Sequence, residues 1–314
     1  MPKEIPVYLF LGFLESGKTK FVQETFEDER FDSGERTLLL VLEEGEEEYT
    51  PSKFAVKKFA VEVLSESELT LETLQNLAKK HKVERVVLEY NGMLLLDKFF
   101  EAMPDGWMIA QVMTFFDSNT FLAYNKNMRQ LVFDKIQYAD MVVFNRFKDD
   151  FSQEEFHKIV RGVSRRPGIV YEYVGGKAVY DEIEDPLPFD INAKIIEIED
   201  RDYAFFYRDL TEDMQKYKGK MVTVKGLVAT DKRMKAGTIV IGRHIMTCCE
   251  ADIQYSGLVV KHASMLPLKT RDWVKITARI DIEYDKIYGQ EGPVLKATAL
   301  DYCEPPEEEL ATFY

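Results

Sequence analysis

Basic charge is what this chain is short of. Its 314 residues carry 41 Lys and Arg against 55 Asp and Glu, a net charge of −14. That balance opposes general attraction to DNA, RNA or an anionic membrane, whose charge has the same sign, and no local basic patch offsets it. Nucleic acid is therefore not an expected partner. Cysteine is scarcer still: Cys248, Cys249 and Cys303 are the full set, all in the last quarter of the chain. This excludes a disulfide scaffold and fits a reducing compartment. No run reaches the roughly eighteen apolar residues of a membrane-crossing helix, and the N-terminus lacks the basic, apolar and cleavage segments of a signal peptide. A cytoplasmic protein that does not itself span the membrane is expected. With 46% hydrophobic residues, the chain has ample core for two globular domains.

The strongest signal lies near the N-terminus. Val7 to Leu11 reads as a buried strand, and the stretch after it, Gly12-Phe13-Leu14-Glu15-Ser16-Gly17-Lys18-Thr19, fits G-x-x-x-x-G-K-[ST] at every fixed position. Gly12 and Gly17 let the backbone turn successive N–H groups onto a polyphosphate, and the helix starting near Gly17 adds its positive end. Glu15 and Ser16 fall inside that cradle. Lys18 is expected on the β and γ phosphates and the Thr19 hydroxyl on Mg²⁺.

Strands then alternate with helices. Thr19 to Phe26 reads as a helix and Thr37 to Leu42 as a buried strand; Phe54 to Leu64 reads as a strand region, and Leu71, Leu74 and Leu77 recur at helical spacing. Between them, Glu43 to Glu48 is acidic, with two readings open: a solvated loop, or a nucleotide-responsive or cation-collecting loop beside the Mg²⁺ site. Val83 to Tyr90 is a further strand, ending in Glu89-Tyr90-Asn91-Gly92. There a nucleotide-hydrolysing site needs a carboxylate on the Mg²⁺ side and a backbone N–H near the γ-phosphate, so Lys18 and Glu89 are the catalytic candidates and Gly92 a binding one. Trp107 to Phe116 is the next strand, with Asp117 at its end, and one long amphipathic helix is expected through Phe121, Tyr124, Met128 and Leu131. Met141 to Phe144 leads into Asn145-Arg146. Ser152 and Glu155 have capping-box spacing at the head of a helix, and a strand follows at Ile169 to Val174. This order predicts an α/β domain with a mostly parallel sheet and helices on both faces.

From Gly219 the pattern becomes five short β-rich runs in about ninety residues, which suggests a small OB-like barrel. The boundary is expected near 190 to 205, giving a P-loop NTPase domain over 1–200 and a β-rich domain over 201–314. Such a barrel can hold single-stranded nucleic acid in an ATP-dependent protein, a reading that the acidic background disfavours. His244, Cys248, Cys249 and Cys303 could together supply a tetrahedral transition-ion site. The plainer reading makes one cysteine a small core residue, because no C-x-x-C spacing is present and adjacent side chains on a strand face opposite ways.

The residues also resemble a known family, the CobW-like branch of P-loop GTPases, which includes metal-insertion proteins and is related to nickel-accessory GTPases. The likeness covers about residues 5 to 190 and is carried by GFLESGKT at Gly12 to Thr19, E-x-x-G at Glu89 to Gly92, the strand ending in Asp117, and QYADMVVFNR at Gln137 to Arg146. It implies GTP hydrolysis with Mg²⁺, metal delivery or metal-related transport with Zn²⁺ as a possible cargo, and a metal-client protein as partner. Asn145, Arg146 and Asp149 are implied as base-reading residues. Two departures stand out. The family motif N-K-x-D needs Lys after Asn145 and Asp at 148, whereas this chain has Arg146 and Lys148, with Asp149 one place late; GTP is expected, with ATP as the alternative. Ser65-Glu66-Ser67 stands where many members carry Cys-x-Cys-Cys, so a thiolate site is not expected there. The second domain resembles the C-terminal domain of uncharacterised bacterial membrane proteins that occur with a permease, through Lys216 to Val228, Arg243 to Val260 and Cys303 to Pro306. The altered base-reading segment gives the alternative function, a nucleotide-binding adaptor with negligible turnover, and this resemblance implies the permease-like partner it would serve.

Overall fold

A computed structural model describes residues 4–231, 234–235, 237–247, 253–263 and 267–313. Contacts divide the chain into two compact units, Met1–Ile183 and Glu184–Tyr314. The division falls before the 190–205 stretch expected from sequence, because Ile196–Glu197 pairs into the second sheet.

The first unit is a three-layer α/β domain. Its strands are β1 (Ile5–Gly12), β2 (Thr37–Val41), β3 (Phe59–Val63), β4 (Arg85–Glu89), β5 (Trp107–Asp117), β6 (Met141–Phe147), β7 (Gly168–Tyr173) and β8 (Ala178–Tyr180). They lie in the order β3-β2-β4-β1-β5-β6-β7-β8, with every neighbour parallel except the β7–β8 hairpin. The helices are α1 (Lys18–Glu27), α2 (Leu71–His81), α3 (Asp97–Ala102), α4 (Ser118–Asn127), α5 (Arg129–Gln137) and α6 (Gln153–Val163).

The continuous apolar run of β2 follows from burial on both faces: Leu38 and Leu40 pack with Leu74 and Phe99, and Leu39 and Val41 with Val22 and Phe26. A third cluster, rich in aromatics, joins β6 and β7 to α4, α5 and α6 through Phe121, Phe144, Phe147, Phe156 and Tyr171. Three expectations need correction. The long helix through Leu131 is two helices, because Met128 leaves the helical region at φ −132 and ψ 43 and its N–H closes α4 on the Tyr124 carbonyl. The strand within 54–64 is confined to Phe59–Val63, since Pro51–Lys53 forms a 3₁₀ turn whose C-cap is Phe54. At Ser152 the hydroxyl accepts from the Glu155 N–H at 3.4 Å, which gives a plain N-cap at the head of α6.

The second unit contains β9 (Ile196–Glu197), α7 (Tyr203–Glu212), α8 (Met214–Tyr217), β10 (Met221–Ala229), β11 (Thr238–Met246), β12 (Gln254–Lys261), β13 (Trp273–Asp285), β14 (Gln290–Tyr302) and β15 (Leu310–Thr312). Pairings run β10–β11, β11–β12, β12–β14, β14–β13 and β13–β10, so five strands return on themselves; only β12–β14 within that ring is parallel. Closure leaves no free edge among the five. Helix α7, which the sequence reading passed over, buries Tyr203, Phe206 and Leu210 in the same core as Val224, Ile241, Leu258 and Ile276. Phe206→Ala is expected to lower the stability of this unit by about 3–5 kcal/mol. Thermal melts of the full chain check it; an unchanged transition would remove α7 from the barrel core.

Candidate functional site

The parallel sheet assembles the site at the carboxyl ends of its strands, where open α/β sheets bind ligands. Strand β1 pairs with β4 so that Phe10 lies opposite Glu89, which sets the loop after β1 beside the end of β4. Gly12 has φ +137, and a Cβ there would stand 2.1 Å from the Phe115 carbonyl oxygen. Gly17, at φ +100, caps the N-terminus of α1, and a Cβ there would stand 2.3 Å from Asn145 Nδ2. Neither position has room for a side chain, and both sit in the left-handed region that favours glycine. Glu15 is also left-handed, at φ +60.

Lys18 is buried at 3% exposure, and its ammonium donates to the Gly12 carbonyl at 2.9 Å, the Phe13 carbonyl at 2.8 Å and Glu43 Oε2 at 2.9 Å. The Thr19 hydroxyl donates to Glu89 Oε1 at 2.8 Å, and the Tyr49 hydroxyl donates to the other Glu89 oxygen. Burial holds the Glu89 carboxyl above the usual carboxylate range, against the pull of the Tyr49 bond and the Lys18 charge. Burial first, then the Glu89 charge, pushes the Tyr49 phenol up. Beyond β4, the turn carrying Gly92 is held by the buried Asp134–Lys135 pair. Lys135 donates to the Leu94 carbonyl at 2.5 Å, Asp134 accepts from the Leu96 N–H at 3.2 Å, and the Tyr90 hydroxyl donates to the Leu95 carbonyl at 2.8 Å.

A carboxyl with a raised folded pKa binds its proton more tightly folded than unfolded. Stability from Glu89 is therefore fully present below the ordinary carboxylate value and is lost as pH rises through the raised one. Denaturation of the nucleotide-free chain across that window should show this fall in wild type and a flatter profile in Glu89→Gln. Parallel profiles would contradict the burial argument.

On the other side of the loop, Asn145 Nδ2 donates to the Ser16 carbonyl at 3.2 Å. Arg146, left-handed at φ +56, bridges the Glu15 carbonyl at 2.9 Å and Asp117 Oδ2 at 2.7 Å. Lys148 donates to Asn119 Oδ1 at 2.6 Å, while Asp149 is exposed. The acidic run divides: Glu43 enters the site, and Glu44, Glu46, Glu47 and Glu48 are exposed. Tyr49 is the site residue that sequence reasoning missed, and its position directly after that run was the available signal.

The transition-ion candidates fare differently. Cys248 and Cys249 lie outside the described residues. His244 is exposed on β11 with its ring against Tyr255 at 5.6 Å. Cys303 is half-buried past the end of β14, where its N–H donates to the Trp273 carbonyl and burial pushes its thiol up. Among the described residues no group of three or more His, Cys, Asp or Glu could hold a metal ion. Nor is any helix among them long and apolar enough to cross a membrane.

The model of the CobW/HypB/UreG nucleotide-binding domain matches residues 6–167, just over half of the chain. The chain belongs to this family. Its phosphate-binding loop, Glu89 and Asn145 all lie within the matched span. A second model, the DUF1980 C-terminal domain, matches residues 174–311, which contain the closed five-stranded ring. No curated protein matches the chain.

Nucleotide with its metal ion is the ligand this family domain implies, and the donor set fits it. The Ser16 hydroxyl is buried without a hydrogen-bond partner, Gly12 and Gly17 shape a cradle that a Cβ would fill, and an ammonium, a hydroxyl and a carboxylate converge beside it.

Proposed function

We propose that the chain binds a Mg²⁺–nucleoside triphosphate at the loop 12–19 and hydrolyses its γ-phosphate with water as nucleophile. The observation carrying this reading is the contact between the Thr19 hydroxyl and Glu89, a hard oxygen pair beside a phosphate cradle. Lys18 stabilises the transferred charge, Thr19 would hold Mg²⁺, Glu89 would support the Mg²⁺ shell or orient water, and Gly92 offers its N–H. The metal ion supplies neutralisation of the charge that develops on the phosphate oxygens. Glu15, Ser16 and Gly17 supply backbone donors, and Asn145 and Arg146 face the base side. GTP is the expected nucleotide, and the task is metal delivery or metal-related transport in the cytoplasm, in service of a metal client or a permease-like partner. The ring of five strands we read as OB-like, for the strand order of its pairings.

Lys148 works against a strict guanine preference, because it places a donor where the family motif has an acceptor for the guanine N–H groups. Phosphate release with GTP and with ATP, each with and without Zn²⁺, tests the reading. Faster release from GTP that responds to Zn²⁺ supports a metal-linked GTPase. Stoichiometric nucleotide binding without release would leave the adaptor function instead.

A further inference from the structure

Glu43 stands where the last phosphate of a triphosphate has to go. Its Oε2 accepts from the Lys18 ammonium at 2.9 Å and lies 3.5 Å from the Gly92 nitrogen. Those are the two donors assigned above to the γ-phosphate. Both charged side chains are out of water, Lys18 at 3% and Glu43 at 10% exposure. The Gly12 and Phe13 carbonyls take the other two hydrogens of the ammonium, so all three donors of Lys18 are in use.

The same segment closes the rest of the cradle. Tyr49 covers Glu89, and the Glu46 N–H donates to Glu15 Oε1 at 2.8 Å. Between Glu15, Lys18, Thr19, Glu47 and Glu89 only about 10 Å³ is left. That is roughly room for one water. A β-phosphate can share the Lys18 ammonium with Glu43, but only a third phosphate competes for the place Glu43 holds between Lys18 and the Gly92 N–H.

We propose that Glu43 makes the site sense the third phosphate, at a cost in triphosphate affinity relative to diphosphate: its carboxylate is a built-in occupant of the γ-phosphate position. The inference rests on the phosphate-site reading above. Carboxylate and phosphate accept from the same donors, and a γ-phosphate brings more charge and one more acceptor oxygen, so it displaces Glu43. A diphosphate does not reach the Gly92 side and leaves Glu43 in place. Glu43 lies two residues past the end of β2, so its displacement frees the segment 43–50 from the loop 12–19. The third phosphate is thereby converted into a movement of chain.

The test uses full-length wild type and Glu43→Gln, titrated with Mg²⁺–GDP and with the Mg²⁺ complex of a non-hydrolysable GTP analogue; the adenine pair is run in parallel so that base preference does not decide the outcome. Removing the competing charge should tighten triphosphate binding about tenfold while diphosphate affinity stays within about twofold. In wild type, amide exchange over residues 43–50 should rise with the triphosphate analogue and not with the diphosphate. That second readout holds even if Glu43→Gln fails to fold. Equal shifts for both nucleotides, no shift, or exchange that ignores the third phosphate would overturn the role of Glu43 and leave the phosphate site standing. If neither protein binds any nucleotide, the phosphate-site reading falls with it.

Discussion

Replacing Lys18 with Ala is expected to abolish measurable hydrolysis, a loss of at least roughly 10³-fold, because charge stabilisation at a buried phosphate has no substitute in this site. The ammonium is fixed by the Gly12 and Phe13 carbonyls, so its position does not depend on a bound ligand. The substitution has a second consequence. It leaves the Glu43 carboxylate buried without its cation, and removing one partner of a buried pair costs about 3–5 kcal/mol. Lys18→Ala alone should therefore melt early, while Lys18→Ala with Glu43→Ala should recover much of the stability and none of the turnover. Melting curves and phosphate release on the three proteins check both halves. Turnover retained by either variant would remove Lys18 from the catalytic site.

The second large effect is expected at Gly92. A Cβ there would stand 2.6 Å from the Gly12 carbonyl oxygen and 2.6 Å from Phe13 Cα, both backbone atoms that cannot rotate aside. Gly92→Ala must push the phosphate-binding loop and the turn after β4 apart, at a cost of about 1–3 kcal/mol. The displaced N–H then misses the γ-phosphate, and turnover should fall about 10²-fold, the scale of a 1 Å misplacement. Diphosphate affinity should fall less, since its donors lie in the loop 12–19. Steady-state rates beside GDP titrations separate the two; wild-type turnover in this variant would show that the Gly92 N–H takes no part.

Much of the site was legible because its parts are local and the sheet is parallel. The loop after β1 announces itself by spacing alone, and β4, which ends at Glu89, reads as an apolar run because β4 is buried on both faces. Once β1 and β4 are neighbours, Lys18, Thr19, Glu89 and Gly92 have to converge. Glu43 was harder: it is one of a run of like carboxylates, and only the register of β2 against β4, Val41 opposite Glu89, sets its side chain against Lys18 while Glu44, Glu46 and Glu48 stay in water. Tyr49 meets Glu89 across 40 positions of sequence, which no periodicity reports. Helix α7 carries Tyr203, Phe206 and Leu210 at helical spacing, yet it sits at the end of the connector, where composition reads as a boundary. The three-residue β15 exists only through its parallel pairing with β11, a tertiary contact without a local signal.

Isothermal titration of the nucleotide-free full chain with GTP, GDP and ATP in Mg²⁺ shows whether the loop 12–19 holds a nucleotide. One saturable site for GTP that disappears in Lys18→Ala is expected. A wild-type chain that gives no heat with any of the three, at concentrations where its fold is intact, would contradict it.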